Sequence, residues 1–199
     1  MVGKPMKKLF LYTITLTVAL ALTLTTVGCM STAPDGEGSK NAEGQPRNPA
    51  EILPVGDKAP DFAVKDHLGA DQRLADFAGR RNVVLIFYPA NETPGCTTQL
   101  CTARDDWKRY EEANVAVFGV NPADAEAHAS FAKNHNFPFP LLADVDGKMT
   151  REYGARGIAG VVKRTVYGIN QEGTIVFAKR GMPSTDEILA AFAPAATAQ

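Results

Sequence analysis

Residues 82–89, NVVLIFYP, are an unbroken apolar and β-branched run with no polar alternation, so a strand built from them has to be covered on both faces. A second run of the same kind, VAVFGVN, follows at residues 115–121. Between them lies TPGCTTQLCTARDDWKRYEEA, which reads as one helix. Strand, crossover helix and strand in this order imply a parallel pair inside a sheet. Downstream, a helix is predicted around ADAEAHASFAKNH, a short strand near FPLLAD and a helix around GKMTREYG. Two further strands, RTVYGIN and TIVFAKR, are joined by the turn QEG. STDEILAAFA, with its Ser or Thr cap and acidic first turn, closes the domain as a helix that Pro194 ends. The pattern is that of a single α/β domain: a central mixed β-sheet flanked by helices.

The 199 residues, 45% hydrophobic and with a net charge of −1, suffice for one such domain and an appendage. Long basic patches and aromatic stacking motifs are absent, so nucleic acid is not an expected partner. Residues 1–28 read as a signal peptide: a cationic start, MVGKPMKK, then an apolar stretch and Gly28. The ending TVGC resembles the lipobox of bacterial lipoproteins, which implies lipidation at Cys29 and membrane attachment through an N-terminal lipid anchor. An uncleaved membrane anchor and ordinary cleavage are the alternatives, and all three place the domain outside the cytoplasm, on the periplasmic or cell-envelope side. Residues 29–52 are rich in Gly, Pro, Ser, Asn and charge and nearly free of large apolar side chains, so they read as a flexible tether. A coil of that length spans roughly 26 Å. The folded domain is expected over residues 53–199.

The chemistry is expected where the first buried strand ends. Pro89 leads through Ala90, Asn91 and Glu92 to Thr93, a good helix N-cap, and Pro94, which suits the first helical position. Gly95 and Cys96 then fall in the first turn. The missing Cβ at Gly95 leaves space for a small substrate to approach the backbone. Free backbone N–H groups and the positive end of the helix dipole favour an ionised sulfur there, so Cys96 is placed to act as a nucleophile. Cys101 stands five positions on. In a helix the two Cα atoms are roughly 8–9 Å apart, and a disulfide needs them within about 7 Å. Either the pair never meets or the helix opens when it does.

Pro89, Thr93 and Cys96 together match the P-x-x-x-T-x-x-C motif, and FYPxxxTPGCTxxxC resembles the bacterioferritin comigratory protein, or peroxiredoxin Q, branch of the peroxiredoxins. The resemblance runs from about Val55 to Phe192. It implies a thioredoxin-like fold and a thiol-dependent peroxidase acting on hydrogen peroxide and organic hydroperoxides, with no cofactor and no metal. Cys96 then corresponds to the peroxidatic cysteine, Cys101 to the resolving cysteine and the two to a redox-active disulfide. Thr93 corresponds to the hydroxyl that contacts thiolate and peroxide, Pro89 to the residue that shields the pocket, and Arg164 to the guanidinium partner. A thioredoxin-like reductant is the implied partner.

Three blander readings compete. A structural disulfide between Cys96 and Cys101 would enclose too few residues to remove much chain entropy. A thiol-disulfide exchange protein of thioredoxin fold normally carries C-x-x-C, and this spacing is longer. Copper binding would need a histidine near the thiols, whereas His67, His128 and His135 are predicted in loop or helix-surface settings without ligand spacing. Arg104 and Asp105 could form a local pair, and Trp107 and Tyr110 are predicted to pack against the core. Glu92, an acid beside the pocket, is expected to disfavour anionic hydroperoxides.

Overall fold

The computed structural model describes residue 48 and residues 50–193. The predicted signal peptide, its lipidation site Cys29 and most of the predicted tether lie outside the described residues. Where the tether is expected to end, the chain is already tied down. The carbonyl of Ala50 accepts from Arg180 Nη2 (2.9 Å), and Leu53 N–H donates to the Tyr167 hydroxyl (3.0 Å).

A five-stranded sheet forms the centre. Its strands are β3 (Asn82–Phe87), β4 (Val115–Asn121), β5 (Leu141–Ala143), β6 (Thr165–Ile169) and β7 (Ile175–Arg180), in the order β5-β4-β3-β6-β7. The pairs β3–β4 and β4–β5 are parallel, β3–β6 and β6–β7 antiparallel. A separate two-stranded ribbon, β1 (Ala63–Lys65) with β2 (Asp71–Arg73), precedes it. The apolar run behaves as its composition demands. Val83, Leu85 and Phe87 join one core layer with Leu53, Phe62, Met149, Tyr153 and Tyr167. Val84, Ile86 and Tyr88 join the other, with Leu100, Tyr110, Phe131 and Ile188.

Helices α1 (Pro94–Asp105), α2 (Trp107–Glu112), α3 (Ala125–His135) and α5 (Thr185–Ala190) cover the second layer, and α4 (Lys148–Glu152) contributes to the first. Two predictions need correction. The helix expected from Thr93 to Ala113 breaks at Asp106, where ψ moves to 7°. His128, expected at a surface, has no solvent exposure. It lies one turn before Phe131 on the buried face of α3, and the i, i+3 relation carries it into the core.

Burial lowers the pKa of His128 below its ordinary value of 6.5, against weaker opposing effects from nearby backbone and Asp124. The folded state therefore binds this proton less readily than the unfolded chain, and the stability due to neutral His128 is lost as pH falls below about 6.5. The expected outcome is a fall in urea midpoint as pH drops below about 6.5 that is shallower in His128→Asn. His67, whose pKa burial also lowers, supplies a residual slope.

Candidate active site

Strand β3 delivers Tyr88 and Pro89 to a short loop, and α1 begins directly after it. Thr93 occupies the N-cap position with extended backbone (φ −84°, ψ 141°), and Pro94 opens the helix. The Thr93 carbonyl accepts from the N–H groups of Cys96 (3.0 Å) and Thr97 (2.9 Å), closing the first turn. Cys96 is thereby fixed at the third helical position with no solvent exposure.

The antiparallel pairing of β6 with β3 sets Thr165 opposite Phe87, so Arg164, one residue earlier, emerges beside the start of α1. Its Nη2 lies 3.2 Å from Cys96 Sγ and its Nη1 donates to Gln99 Oε1 at 2.6 Å. Gln99 is itself 7% exposed, and its amide nitrogen lies 3.4 Å from the Gly181 carbonyl. Between them, the sulfur and the Gln99 amide engage both arms of the guanidinium. Gly95 permits the approach, since a Cβ there would lie 3.2 Å from Arg164 Nη2. The space left by the missing side chain, expected from the sequence to admit substrate, is taken in the fold by the arginine.

Of the residues singled out from the sequence, Cys96 and Arg164 are in direct contact, and Pro89 sits half-buried at the end of the strand. Cys101 is half-buried in the same helix as Cys96, and both thiols are free. Thr93 is placed differently from expectation. Its side chain does not cap the helix but donates to the Ala90 carbonyl (3.2 Å), and the residue is exposed. Glu92 is exposed, and Asn134 Nδ2 (2.9 Å) and His135 Nε2 (3.0 Å) hold its carboxylate. These partners, His135 foremost, keep its pKa below the usual carboxylate value.

Beneath the loop, the Tyr88 hydroxyl donates to Asn91 Oδ1 (2.9 Å) and lies 3.3 Å from His128 Nδ1. Burial, and secondarily the nearby Cys96, push the Tyr88 pKa well above 10, so the phenol remains a donor. Arg104 pairs with Asp105 (2.8 Å), as the sequence allowed, and also donates to the His135 carbonyl (2.7 Å). Among the described residues no three His, Cys, Asp or Glu side chains gather closely enough to hold a metal ion. Gln99 and Asn91 were missed by sequence reasoning. A polar residue three positions after the cysteine, on the same helical face, was the available signal for Gln99.

The AhpC/TSA family profile matches residues 55–178, well over half of the chain. The chain belongs to the AhpC/TSA family. Within it, the chain is 39% identical over 124 residues to the chloroplastic peroxiredoxin Q of Triticum aestivum and 38% identical over 122 residues to that of Gentiana triflora. These matches span 61% and 60% of this chain but only 57% and 56% of the plant proteins. Among solved structures, the peroxidoxin BcpB of Mycobacterium tuberculosis superposes with a TM-score of 0.65 at 33% identity, covering 69% of this chain and 95% of that one. The peroxiredoxin Q resemblance carried by FYPxxxTPGCTxxxC thus extends well beyond the motif, and the thioredoxin-like architecture is shared.

Because Gln99 aims the guanidinium at the sulfur, on the peroxidase reading proposed below Gln99→Leu is expected to lower kcat/KM for peroxide roughly tenfold with little change in unfolding midpoint. Gly95→Ala, which displaces only the flexible tip of Arg164, should cost less, about two- to fivefold. Steady-state assays with a dithiol reductant check both.

Proposed function

We propose that this protein is a thiol peroxidase in which Cys96 is the peroxidatic and Cys101 the resolving cysteine. The observation that carries the reading is the contact between Arg164 Nη2 and the buried Sγ of Cys96, in the first turn of a helix. The Cys96 thiolate attacks one peroxide oxygen, the O–O bond breaks, and the departing oxygen leaves as alkoxide or hydroxide that takes up a proton. Negative charge grows on that oxygen, so a fixed guanidinium and the helix start stabilise the transition state more than the ground state. The product is a sulfenic acid at Cys96.

The thiol of Cys101 then attacks the sulfenic sulfur, releasing water and forming the Cys96–Cys101 disulfide. Both residues lie in α1, where their Cα atoms are roughly 8–9 Å apart. The helix must open, and its composition lowers the cost of doing so. It contains Gly95, Thr97, Thr98 and Thr102, all weaker helix formers than alanine. The hydroxyls of Thr98 and Thr102 turn back on the carbonyls of Pro94 and Thr98. A thioredoxin-like dithiol would reduce the exposed disulfide and regenerate both thiols. Hydrogen peroxide and organic hydroperoxides are the substrate class.

Export belongs to the same proposal and rests on residues 1–29: the cationic start, the apolar stretch and the TVGC ending support a lipid-anchored protein on the envelope side of a bacterial membrane.

Cys96→Ser is expected to abolish peroxide consumption. Cys101→Ser should allow a single turnover and accumulate a sulfenic acid that dimedone traps, read by mass spectrometry. Peroxide consumption by Cys96→Ser at the parent rate would overturn the assignment.

A further inference from the structure

The loop that joins β3 to α1 is held from two sides by residues outside the motif. On the inner side Asn91 Oδ1 accepts from the Tyr88 hydroxyl (2.9 Å) and from Asn121 Nδ2 (2.8 Å). Asn121 is 1% exposed and its own Oδ1 accepts from the Ala123 backbone (2.7 Å), so the anchor is rooted at the end of β4. On the outer side Glu92 binds Asn134 and His135, the last two side chains of α3. His135 is in turn stacked on Phe137 (5.6 Å, 20°) and set edge-on against Phe131 (5.0 Å, 77°).

Two adjacent residues here carry a local cost. The amide nitrogen of Asn91 is buried without a hydrogen-bond partner. Glu92 has φ of +56°, a left-handed backbone that a non-glycine residue rarely adopts. Such strain persists only where the surroundings over-determine the conformation. Immediately downstream the position is reversed: the first turns of α1 are made of weak helix formers.

We propose that Asn91 and Glu92 are positioning residues forming a two-sided clamp that fixes Thr93–Pro94 as the point where unwinding stops when Cys96 and Cys101 join. The inference rests on the disulfide chemistry proposed above. Disulfide formation pulls on the start of α1, and that pull passes either into the helix or back into the loop. The side-chain bonds on Asn91 and Glu92 resist movement of the loop, so the helix yields. Pro89 to Thr93 keep their positions through the oxidised state, and the first turn has a fixed template on which to reform after reduction. The clamp therefore acts on the return of Cys96 to its contact with Arg164 and not on the attack itself.

The test compares amide hydrogen exchange of the reduced and oxidised full-length protein, with disulfide content verified by mass spectrometry in each sample. In the parent, oxidation should strip protection from the amides of residues 96–102 and leave unchanged the Tyr88 amide at the base of the loop, which donates to the Val120 carbonyl (3.1 Å). In Asn91→Ala/Glu92→Gly, oxidation should strip protection from the Tyr88 amide as well, and recovery of peroxide reactivity after reduction should slow roughly tenfold. Glycine at 92 relieves the left-handed backbone while removing the carboxylate, so a purely conformational role predicts parent behaviour for Glu92→Gly alone. Glu92→Gln, which keeps two hydrogen-bonding atoms, should restore most of the parent pattern. A disulfide that forms while the Tyr88 amide loses protection in the parent would overturn the clamp. So would a double variant whose Tyr88 amide is equally deprotected in the reduced and oxidised states, which marks a merely structural role. Absence of any Cys96–Cys101 disulfide would instead overturn the reading on which the clamp rests.

Discussion

The approach of the Arg164 guanidinium to the sulfur of Cys96 is the interaction for which the rest of the architecture is arranged. A sulfur with no solvent exposure has no water around it, and the 3.2 Å contact places a permanent cation against it instead. Distant parts of the chain must agree for it to exist. The antiparallel register of β6 against β3 brings residue 164 to the right end of the sheet. Gln99, one turn along α1, orients the other arm of the guanidinium. Gly95 leaves the path clear.

That arrangement conflicts with the second half of the proposed chemistry. A helix is an efficient way to hold Cys96 among backbone dipoles, yet it separates Cys96 from Cys101 by more than a disulfide allows. The conflict is resolved by unequal stability along the chain. Behind the site, β3 and β4 are sealed between two core layers. Ahead of it, α1 holds its own threonine hydroxyls against its carbonyls and includes a glycine. Segments of low local stability are where motion is expected, and the weak helix formers of α1 fall where the proposed reaction needs them.

Much of this was legible in the sequence because it depends on local order. Continuous apolar runs bounded by turn signals read as buried strands, and Thr93, Pro94 and Cys96 can be counted into a helix start without any tertiary knowledge. Arg164 is legible only through the family resemblance, since nothing local says that a residue 68 positions away will meet the sulfur. What escaped depended on side-chain rotation and on contacts across the sheet. Gln99 is unremarkable until β6 is placed beside α1. His128 looks like a surface residue in a polar-rich helix, but the turn it shares with Phe131 faces inward. The Thr93 hydroxyl had two acceptable uses, capping the helix or bonding its own loop, and the fold chose the Ala90 carbonyl. The break at Asp106 adds a bend that propensity alone did not place.

In the proposed chemistry the guanidinium assists attack by Cys96 on the peroxide and the opening of α1 permits disulfide formation, as two separate steps. Trp107, the single tryptophan of the chain, sits just beyond α1 and packs on Phe139 (5.8 Å), so its fluorescence can follow both in one stopped-flow trace. Mixing reduced protein with hydrogen peroxide should give a first phase whose rate rises linearly with peroxide and a second that is independent of it. In Arg164→Gln the first phase should slow by about a hundredfold while the second keeps its rate. A first phase indifferent to the loss of Arg164 would contradict the account.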